Sequence, residues 1–522
     1  MAIVALVAGV ARIRVFAARR SLWFDEAAVA MNIVQRSFRD LLLPLDHEQT
    51  AAPLFLWGER VAYLIGGNTE WALRALPLIA GLLLPFAMWS VAKRLLPPVE
   101  ALIAVALVSV SPFLIYYANE LKPYGVDALV TTLLLVAALR VQERPGDRRR
   151  WIALALGGAL AIGLSIPAPF VLAGIAVYLV ARPDVRAAAG FRGHAAIAAI
   201  AWACAAGLAF LVYRPVMSHE SFIGSFMQHY WGNTFLTTED PGLKERALNA
   251  VAGATRTTFF DGVIWPQQVN MFLLIGAAGL VRIAKTRGGS TAALFVIPIG
   301  LLVVAATLRM YPLGDRLILF IAPMTALVLV AGVTWPARLL RTEWRPIATA
   351  AAGALFLAAP ASRAFSGLRQ PPGRSETREM IHDLVRVRAS ARPPVVWLSA
   401  GSVMAWRYYA GPMHASKIER KPGVPLPQPD SIEAGVLIGK WPQSAEGKSK
   451  GDWGMWELDR IRSRGECGWM LLSVLEPGER DMLMAAIRRS NTRIAASRAA
   501  PGAELLHVCF TAAPAAAGSG AD

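Results

Sequence analysis

The architecture of the chain is evident from residues 101–140, which read ALIAVALVSVSPFLIYYANELKPYGVDALVTTLLLVAALR. Two apolar runs, 98–117 and 123–140, flank a short polar turn. A helix needs about 20 apolar residues to cross the hydrocarbon of a bilayer, and each run is close to that length. The pattern predicts two transmembrane helices joined by a turn at the membrane surface.

Similar runs recur along the first 365 residues, and the composition agrees, with 55% hydrophobic and 17% charged residues. We expect about eleven spans, at approximately 1–18, 75–92, 98–117, 123–140, 151–165, 167–181, 195–213, 268–282, 291–308, 316–334 and 347–363. The first run reads as a retained span rather than a cleavable signal peptide. It carries Arg12 and Arg14, so either its start is truncated or these arginines snorkel toward the outer interface.

The net charge of +17 would suit a nucleic-acid-binding protein, but its placement argues for membrane topology instead. Basic residues gather in alternate loops, which the positive-inside rule makes cytoplasmic. These loops contain Lys93 and Arg94; Arg140, Arg144 and Arg148–Arg150; Arg182, Arg186 and Arg192; Arg282, Lys285 and Arg287; and Arg338, Arg341 and Arg345. We therefore predict a multi-pass protein of the cell (inner) membrane with a cytoplasmic N-terminus, an extracytoplasmic C-terminal domain and no nucleic-acid partner.

The composition of the sequence changes after residue 365, where the long apolar runs end. We predict a transmembrane domain over 1–365 with outer loops 19–74 and 214–267, a linker over 366–378, a soluble α/β domain over 379–512 and a disordered tail over 513–522. Strand-like runs at 395–400, 468–474 and 504–510, with a helical run at 479–489, support the α/β assignment. The predicted fold class is thus mostly α, a polytopic helical bundle with a C-terminal α/β domain. Cys467 and Cys509 both fall in that domain, where a disulfide is open to them, whereas Cys204 reads as inert packing.

The first outer loop begins with RSLWFDEAAVAMNIV, residues 20–34, in which Asp25 and Glu26 form an acidic pair beside the membrane. One interpretation is structural: Asp25 caps a helix lying along the bilayer surface and complements its dipole. The other is chemical, because neighbouring carboxylates at a membrane interface can deprotonate a hydroxyl or hold a cation. The residues leave both interpretations open.

The turn at 111–127 places Glu120, Lys122, Tyr124 and Asp127 on the same predicted face as the acidic pair. It is either a solvated turn or part of a site in which the acidic groups converge. Similar alternatives apply to Arg316 in YPLGDR (311–316), which either binds a phosphate or pairs with nearby carboxylates.

His47 lies among carboxylates in the first outer loop, in DHEQT (46–50), so it is a candidate ligand for a divalent cation. Its spacing matches no specific metal motif. We predict no certain cofactor and leave the metal ligands unknown.

Five segments together resemble the C-type glycosyltransferases, chiefly the bacterial group similar to protein O-mannosyltransferases and to the transferase that adds aminoarabinose to lipid A. They are SLWFDEAAVAMNIV (21–34), QTAAPLFL (49–56), LRALPLIAG (73–81), YYANELKPY (116–124) and YPLGDR (311–316). The resemblance covers residues 10 to about 335. It implies transfer of a hexose or pentose from a polyprenyl-phosphate donor to a lipid, glycan or protein acceptor on the extracytoplasmic face.

The resemblance also implies roles for individual residues. Asp25 corresponds to the catalytic base and Glu26 to its neighbour. The remaining candidates for binding donor or substrate are Glu120, Lys122, Tyr124, Arg316, Tyr311 and His47. Lys122 stands where an arginine is common, and His47 is separated from Pro53, whereas some relatives have a His-Pro-Pro element, which weighs against a metal role for His47.

Two other classes of function remain open. A ligase or polymerase of lipid-linked glycans shares this topology and would depend on diphosphate-linked donors. A transporter or flippase would place charged residues near the middle of broken spans, often with internal repeats. The candidate residues here lie instead in outer loops and at helix ends.

Overall fold

The computed structural model describes residues 1–217, 231–236, 242–260, 269–371, 373–411, 431–442 and 453–510. The chain divides into two compact units, one comprising Met1–Arg19 and Arg36–Pro371 and the other Arg20–Gln35 and Pro372–Asp522. The predicted tail 513–522 and much of the predicted outer loop 214–267 lie outside the described residues. The segment Arg20–Gln35, which carries the acidic pair, thus groups with the C-terminal region and not with the helices that flank it in sequence.

Helices dominate the described residues. In chain order they are α1 (Ala2–Ala17), α2 (Phe24–Gln35), α3 (Pro53–Gly66), α4 (Ala75–Leu95), α5 (Pro98–Val110), α6 (Pro112–Tyr117), α7 (Tyr124–Glu143), α8 (Arg148–Leu164), α9 (Ala168–Val180), α10 (Pro183–Arg186), α11 (Phe191–Met217), α12 (Leu243–Phe260), α13 (Val269–Arg287), α14 (Ala293–Thr307), α15 (Ala322–Val333), α16 (Arg345–Arg369), α17 (Arg378–Arg388), α18 (Val403–Tyr409), α19 (Trp453–Arg462) and α20 (Glu479–Arg489). Helices α2 and α17–α20 belong to the second unit.

Within the described residues, six helical segments are long and apolar enough to cross a membrane. They are Ala72–Leu95, Tyr124–Glu143, Phe191–Pro215, Gly289–Thr307, Arg316–Leu339 and Arg345–Arg369, with shorter apolar helices at Pro98–Val110 and Ala168–Val180. The predicted polytopic helical bundle is confirmed, while the number of spans stays a prediction.

The spans differ in how deeply they are buried. The most apolar windows of Tyr124–Glu143 and Arg316–Leu339 are 78% and 83% buried, against 6% for Phe191–Pro215. The first two are therefore central helices of the first unit, whereas the third presents its apolar side chains outward, as a lipid-facing helix does. Tyr124 and Arg316, both candidate site residues, begin the two central segments.

The break between α5 and α6 has a local cause. Proline lacks the N–H that would continue the helix, so Pro112 ends α5 and begins α6. Ser111 caps the new helix by accepting from the N–H of Leu114 at 3.2 Å, and its hydroxyl donates to the carbonyl of Thr258 at 2.7 Å. The break sets the direction of α6 and hence of the polar turn that follows it.

Arg12 does not snorkel to an interface, in contrast to one of the two predictions for it. Its side chain is fully buried. The guanidinium donates to the carbonyls of Ala8 at 3.1 Å, Ser109 at 3.0 Å and Val108 at 3.4 Å. The last two carbonyls lie where Pro112 interrupts the helical bonding, so Arg12 supplies donors that the backbone lacks. Arg14, by contrast, is exposed.

The second unit contains a six-stranded sheet. Its strands are β1 (Val395–Leu398), β2 (Ser431–Glu433), β3 (Val436–Ile438), β4 (Cys467–Ser473), β5 (Thr492–Ala500) and β6 (Ala503–Phe510), in the order β2-β3-β1-β4-β6-β5. Strand β1 is parallel to β3 and β4, and the other pairs are antiparallel. The three predicted strands and the predicted helix are present. Strands β2, β3 and β5 were not predicted, because β2 and β3 are short and β5 is an edge strand rich in Arg and Ala.

Alternate residues of the central strands enter two separate cores. Trp397 and Met470 pack with Trp453 of α19 on one face of the sheet. Val396 and Leu471 pack on the other face with Ile381 of α17. Successive side chains of a strand point to opposite faces of the sheet, and here both faces are covered. Positions on both faces are therefore apolar, and the central strands are continuous apolar runs in the sequence.

Cys467 and Cys509 lie directly opposite each other in the β4–β6 register and are joined by a disulfide. Their Cα atoms are 4.1 Å apart, and 42 residues separate them in sequence. Cys204 is free and exposed on the lipid-facing helix α11, so its interpretation as internal packing was wrong.

Candidate active site

The polar turn between α6 and α7 is buried and closed by its own backbone. The N–H of Asn119 donates to the carbonyl of Tyr116 at 2.9 Å, and that of Lys122 to the carbonyl of Glu120 at 2.7 Å. Glu120 is 0% exposed and Lys122 7% exposed. A solvated turn is therefore excluded. Burying charged side chains is costly unless they are paired or serve a function, so this turn is a candidate site.

Lys122 is connected to the first outer loop. Its Nζ donates to Oε1 of Gln49 at 2.7 Å, and Nε2 of Gln49 donates to the backbone carbonyl of His47 at 3.0 Å. His47 and Glu48 have positive φ values of 60° and 58°, a conformation that non-glycine residues rarely adopt in succession. The bent loop thus connects the His47 carbonyl to the Lys122 ammonium through the side chain of Gln49.

Arg316 reaches the same turn from a distant part of the sequence. It is 9% exposed, and its guanidinium lies 5.9 Å from the ring centroid of Tyr124 and 5.4 Å from that of Trp231. Such contacts hold a cation by the negative face of the ring. The segment before Arg316 also contacts the stretch that contains Trp231, since the N–H of Leu313 donates to the carbonyl of Thr234 at 3.1 Å.

Tyr117 marks where these groups converge. Its ring packs edge-on against that of Tyr124, with centroids 5.2 Å apart, and it is 5% exposed. Glu120 follows Tyr117 by three residues on the buried turn, and Arg316 lies over the ring of Tyr124 against which Tyr117 packs. The predicted residues Glu120, Tyr124 and Arg316 are therefore neighbours in space. Tyr117 was not among the predicted site residues, because an aromatic residue near a membrane boundary is ordinary.

Tyr311, another predicted binding residue, lies beside this group. Its hydroxyl donates to the carbonyl of Leu317 at 2.7 Å. Burial raises the pKa of the Tyr311 hydroxyl well above its ordinary value, and the nearby carboxyl of Asp127 raises it further. Tyr311 therefore stays neutral and can offer hydrogen bonds without acting as a base. Asp127, which is 4% exposed, was noted in the turn but not assigned a role.

The acidic pair lies in the first turn of α2, in the second unit. Glu26 is 1% exposed, and its Oε2 lies 3.5 Å from the N–H of Trp23, as in the returning half of a capping box. Asp25 is half-buried. Asp25 is the second residue of α2 and therefore does not occupy the cap position that the structural interpretation gave it, and the bond to the residue before the helix is made by Glu26.

Helix α2 differs from the predicted surface helix. Its apolar residues Ala27, Ala28, Met31 and Ile33 are buried, and the helix packs against α18 of the C-terminal region. An amphipathic pattern indicates only that one face is apolar. It does not distinguish a membrane surface from a protein partner.

Potential metal ligands gather elsewhere. In the part of the chain that the structure describes, Cys467, His507 and Cys509 form a group of three potential ligands within 4.8 Å, but the two sulfurs are joined as a disulfide. His47 belongs to no such group among the described residues. A cation held by His47 stays a prediction.

Solved structures with a similar fold are membrane glycosyltransferases. ArnT from Cupriavidus metallidurans bound to undecaprenyl phosphate has a TM-score of 0.51 and 12% identity, covering 96% of this chain and 97% of that one. The oligosaccharyltransferase AglB from Archaeoglobus fulgidus, in complex with an inhibitory peptide and a dolichol-phosphate, has a TM-score of 0.50 and 10% identity over 96% of this chain and 73% of that one. Another structure of the A. fulgidus enzyme, with Zn and sulfate, has a TM-score of 0.50 and 12% identity, and the match covers 78% of this chain and 61% of that one.

The helical bundle with its C-terminal sheet domain is the fold of these membrane glycosyltransferases, so the predicted fold class is confirmed. Residues 50–218 match the family model described as dolichyl-phosphate-mannose-protein mannosyltransferase. That stretch contains Glu120, Lys122 and Tyr124. No curated protein matches the sequence at a comparable level of significance. The fold and the family match together support a multi-pass membrane glycosyltransferase.

Proposed function

We propose that this protein transfers a sugar from a polyprenyl-phosphate donor to an acceptor on the extracytoplasmic face of the cell membrane. The observation that carries the proposal is the buried group of Lys122, Arg316 and Glu120, in which the turn at 120–124 meets Arg316 through Tyr124 and the first outer loop through Gln49. Two buried cations in a protein of this fold suit a phosphate whose negative charge increases as the sugar leaves.

Lys122 and Arg316 would bind the lipid phosphate in complementary ways. A lysine ammonium is a compact point charge, whereas an arginine fork can bond two phosphate oxygens at once. The aromatic faces of Tyr124 and Trp231 hold the guanidinium without neutralising it. The neutral hydroxyl of Tyr311 lies in the same region, and its one O–H is donated to the carbonyl of Leu317. The lipid phosphates in the ArnT and AglB structures are consistent with this class of donor.

Asp25 would act as the general base. It lies in the first turn of α2, where the N-terminal end of the helix dipole favours a negative charge. It would take the proton of the acceptor hydroxyl while that oxygen attacks the anomeric carbon and the phosphate departs. A single displacement of this kind inverts the anomeric configuration. Glu26 would support the helix start, and Glu120 would bind sugar hydroxyls.

The experiment that tests this function uses purified full-length protein in nanodiscs, radiolabelled polyprenyl-phosphate mannose and cell-envelope acceptors. Mannose is the first sugar because the matched family model names it. General-base catalysis contributes about 10²–10⁴-fold, so Asp25→Asn should lose transfer by that factor while still binding undecaprenyl phosphate.

Asp481→Asn is the matched control, because Asp481 also lies in the first turn of a helix, α20, and is exposed. It should transfer at the wild-type rate. Full turnover by Asp25→Asn would refute the assignment of the base. A preference for diphosphate-linked oligosaccharide donors would favour a glycan ligase or polymerase instead.

A further inference from the structure

The three residues before α2 are held by the C-terminal region. The N–H and the hydroxyl of Ser21 both donate to Oε2 of Glu376, at 2.9 and 3.1 Å, and the Ser21 hydroxyl accepts from the N–H of Arg378 at 3.2 Å. The N–H of Leu22 donates to the hydroxyl of Tyr409 at 2.8 Å. All these residues belong to one compact unit.

The next residue is held as well. The guanidinium of Arg374 lies 3.3 Å from the ring centroid of Trp23. Ser21, Leu22 and Trp23 are 6%, 0% and 4% exposed, so their backbone groups cannot readily exchange these partners for water. The stretch 366–378, which the sequence suggested was a linker, therefore supplies specific contacts through its last five residues.

Helix α2 begins at Phe24, directly after this segment. A helix is stiff over twelve residues, so the position of its first turn follows from the anchoring of residues 21–23 together with the packing of α2 on α18. Asp25 is the second residue of that turn. Its placement consequently depends on side chains that lie more than 350 residues further along the chain.

We infer that the C-terminal domain positions the transferase base, with Glu376 and Tyr409 as positioning residues that hold residues 21–23 and thereby set where Asp25 lies. This inference rests on the proposed function of Asp25. It assigns the domain a role in catalysis that neither its sheet topology nor its disulfide indicates. Misplacing a catalytic group by about 1 Å can cost roughly 100-fold in rate, so modest loosening should be measurable.

Three variants test the inference in the full-length protein. Tyr409→Phe removes one oxygen and preserves the ring packing against Tyr408. Glu376→Ala removes the acceptor for Ser21, whereas Glu376→Gln keeps an acceptor oxygen and should restore most of the function. We expect kcat to fall about ten-fold or more in the first two variants, with the donor KM within about two-fold of wild type, since donor binding is assigned to other residues.

Hydrogen exchange supplies a readout that is independent of activity. In wild type, the amides of Ser21 and Leu22 should be protected from exchange. In Tyr409→Phe and Glu376→Ala, the exchange rate should rise across residues 21–27, whereas the exchange rate of the β4 amides should stay as in wild type. The matched controls are Glu379→Ala, an exposed glutamate in the first turn of α17, and Tyr63→Phe in α3. Both should leave exchange and kcat unchanged.

Each outcome bears on the inference. Faster exchange at 21–27 with full kcat would overturn the positioning role, and so would unchanged exchange in Tyr409→Phe and Glu376→Ala. A fall in kcat that Glu376→Gln does not relieve would also count against it. Failure of the proposed base would be seen separately, as full transfer by Asp25→Asn with normal protection of residues 21–23.

Discussion

The ammonium of Lys122 donates a 2.7 Å hydrogen bond to the side-chain amide oxygen of Gln49, 73 residues earlier in the chain. The bond joins the turn between α6 and α7 to the strained loop at His47 and Glu48. An amide orients the ammonium without cancelling its charge, whereas a carboxylate would do both. Replacing this amide by a carboxylate would add a negative charge next to the ammonium.

Gln49→Glu should therefore weaken donor binding. The new carboxylate would place a negative charge beside the ammonium of Lys122, where it would compete with the phosphate for the ammonium and repel the phosphate. We expect the affinity for undecaprenyl phosphate, measured by calorimetry in detergent, to fall about ten-fold. Gln370→Glu adds the same charge at an exposed position ending α16 and should not change the affinity. Tighter binding by Gln49→Glu would contradict the role of Lys122.

The buried ion pair of Glu100 and Arg282 should be needed for stability. Both residues are at most 5% exposed, and the guanidinium donates to Oε1 of Glu100 at 2.6 Å and to the carbonyl of Ala331 at 2.7 Å. Removing one partner of a buried pair costs about 3–5 kcal/mol, because the other charge stays buried. Glu100→Gln should therefore lower the thermal stability of the protein in detergent markedly.

Two comparisons make that measurement specific. The double variant Glu100→Gln/Arg282→Met should recover most of the loss, since Arg338, the other partner of Glu100 at 3.3 Å, is exposed to solvent and needs no buried counter-charge. Glu143→Gln removes an exposed carboxylate that pairs with Arg94, and should change stability by less than about 1 kcal/mol. Equal effects of Glu100→Gln and Glu143→Gln would show that burial of the pair is irrelevant.

Stability of the C-terminal domain should depend on pH through Glu479. Burial raises the pKa of its carboxyl from 4.5 to about 7, although the carboxyl accepts from the N–H of Glu476 at 2.8 Å. Between these values the native state keeps a proton that the unfolded chain releases, so stability falls as pH rises from about 4.5 to 7. The full effect is at most about 3 kcal/mol.

Glu479→Gln keeps an acceptor for the Glu476 N–H and removes the titration. Relative to wild type, it should become progressively more stable from pH 5 to pH 8, as measured by hydrogen exchange of β4 and β6 in the intact protein. Glu433→Gln, at an exposed position on β2, serves as the control and should show no such trend. A constant difference between Glu479→Gln and wild type over this range would rule out the titration.

The disulfide Cys467–Cys509 should be present in protein isolated without reductant, because the predicted topology places the C-terminal domain in an oxidising compartment. Alkylation followed by mass spectrometry should modify Cys204, which is free, but neither Cys467 nor Cys509. Reductant should make all three reactive and lower the stability of the domain by about 2–4 kcal/mol. Labelling of Cys467 and Cys509 without reductant would argue against the extracytoplasmic placement.

Several features of this protein could be predicted from residue order. Membrane class and the helical bundle follow from runs such as 123–140, because hydropathy adds along a contiguous segment and needs no knowledge of neighbours. The strand at 468–474 was predictable for a similar reason, since it is apolar throughout and lies between two layers. Glu120 and Arg316 could be selected as unusual charges at helix ends, although their proximity could not be measured.

Other features depended on packing between distant segments. Burial of the turn at Glu120, the partnership of Lys122 with Gln49, and the position of Trp231 beside Arg316 come from stretches that share no local pattern. The same holds for Arg12. Its sequence position suggested an interfacial residue, but its guanidinium donates hydrogen bonds to the backbone carbonyls near Pro112. A sequence pattern reports the preference of each segment, not the identity of the segment it meets.

The acidic pair illustrates this division most clearly. The residue types around Asp25 and Glu26 were sufficient to predict a helix start beside an apolar segment, because capping and helix amphipathicity are local properties. The assignment of that helix to the same compact unit as the C-terminal sheet was not local. It depends on hydrogen bonds from Ser21 and Leu22 to Glu376 and Tyr409, residues far away in sequence whose proximity exists only in the folded chain.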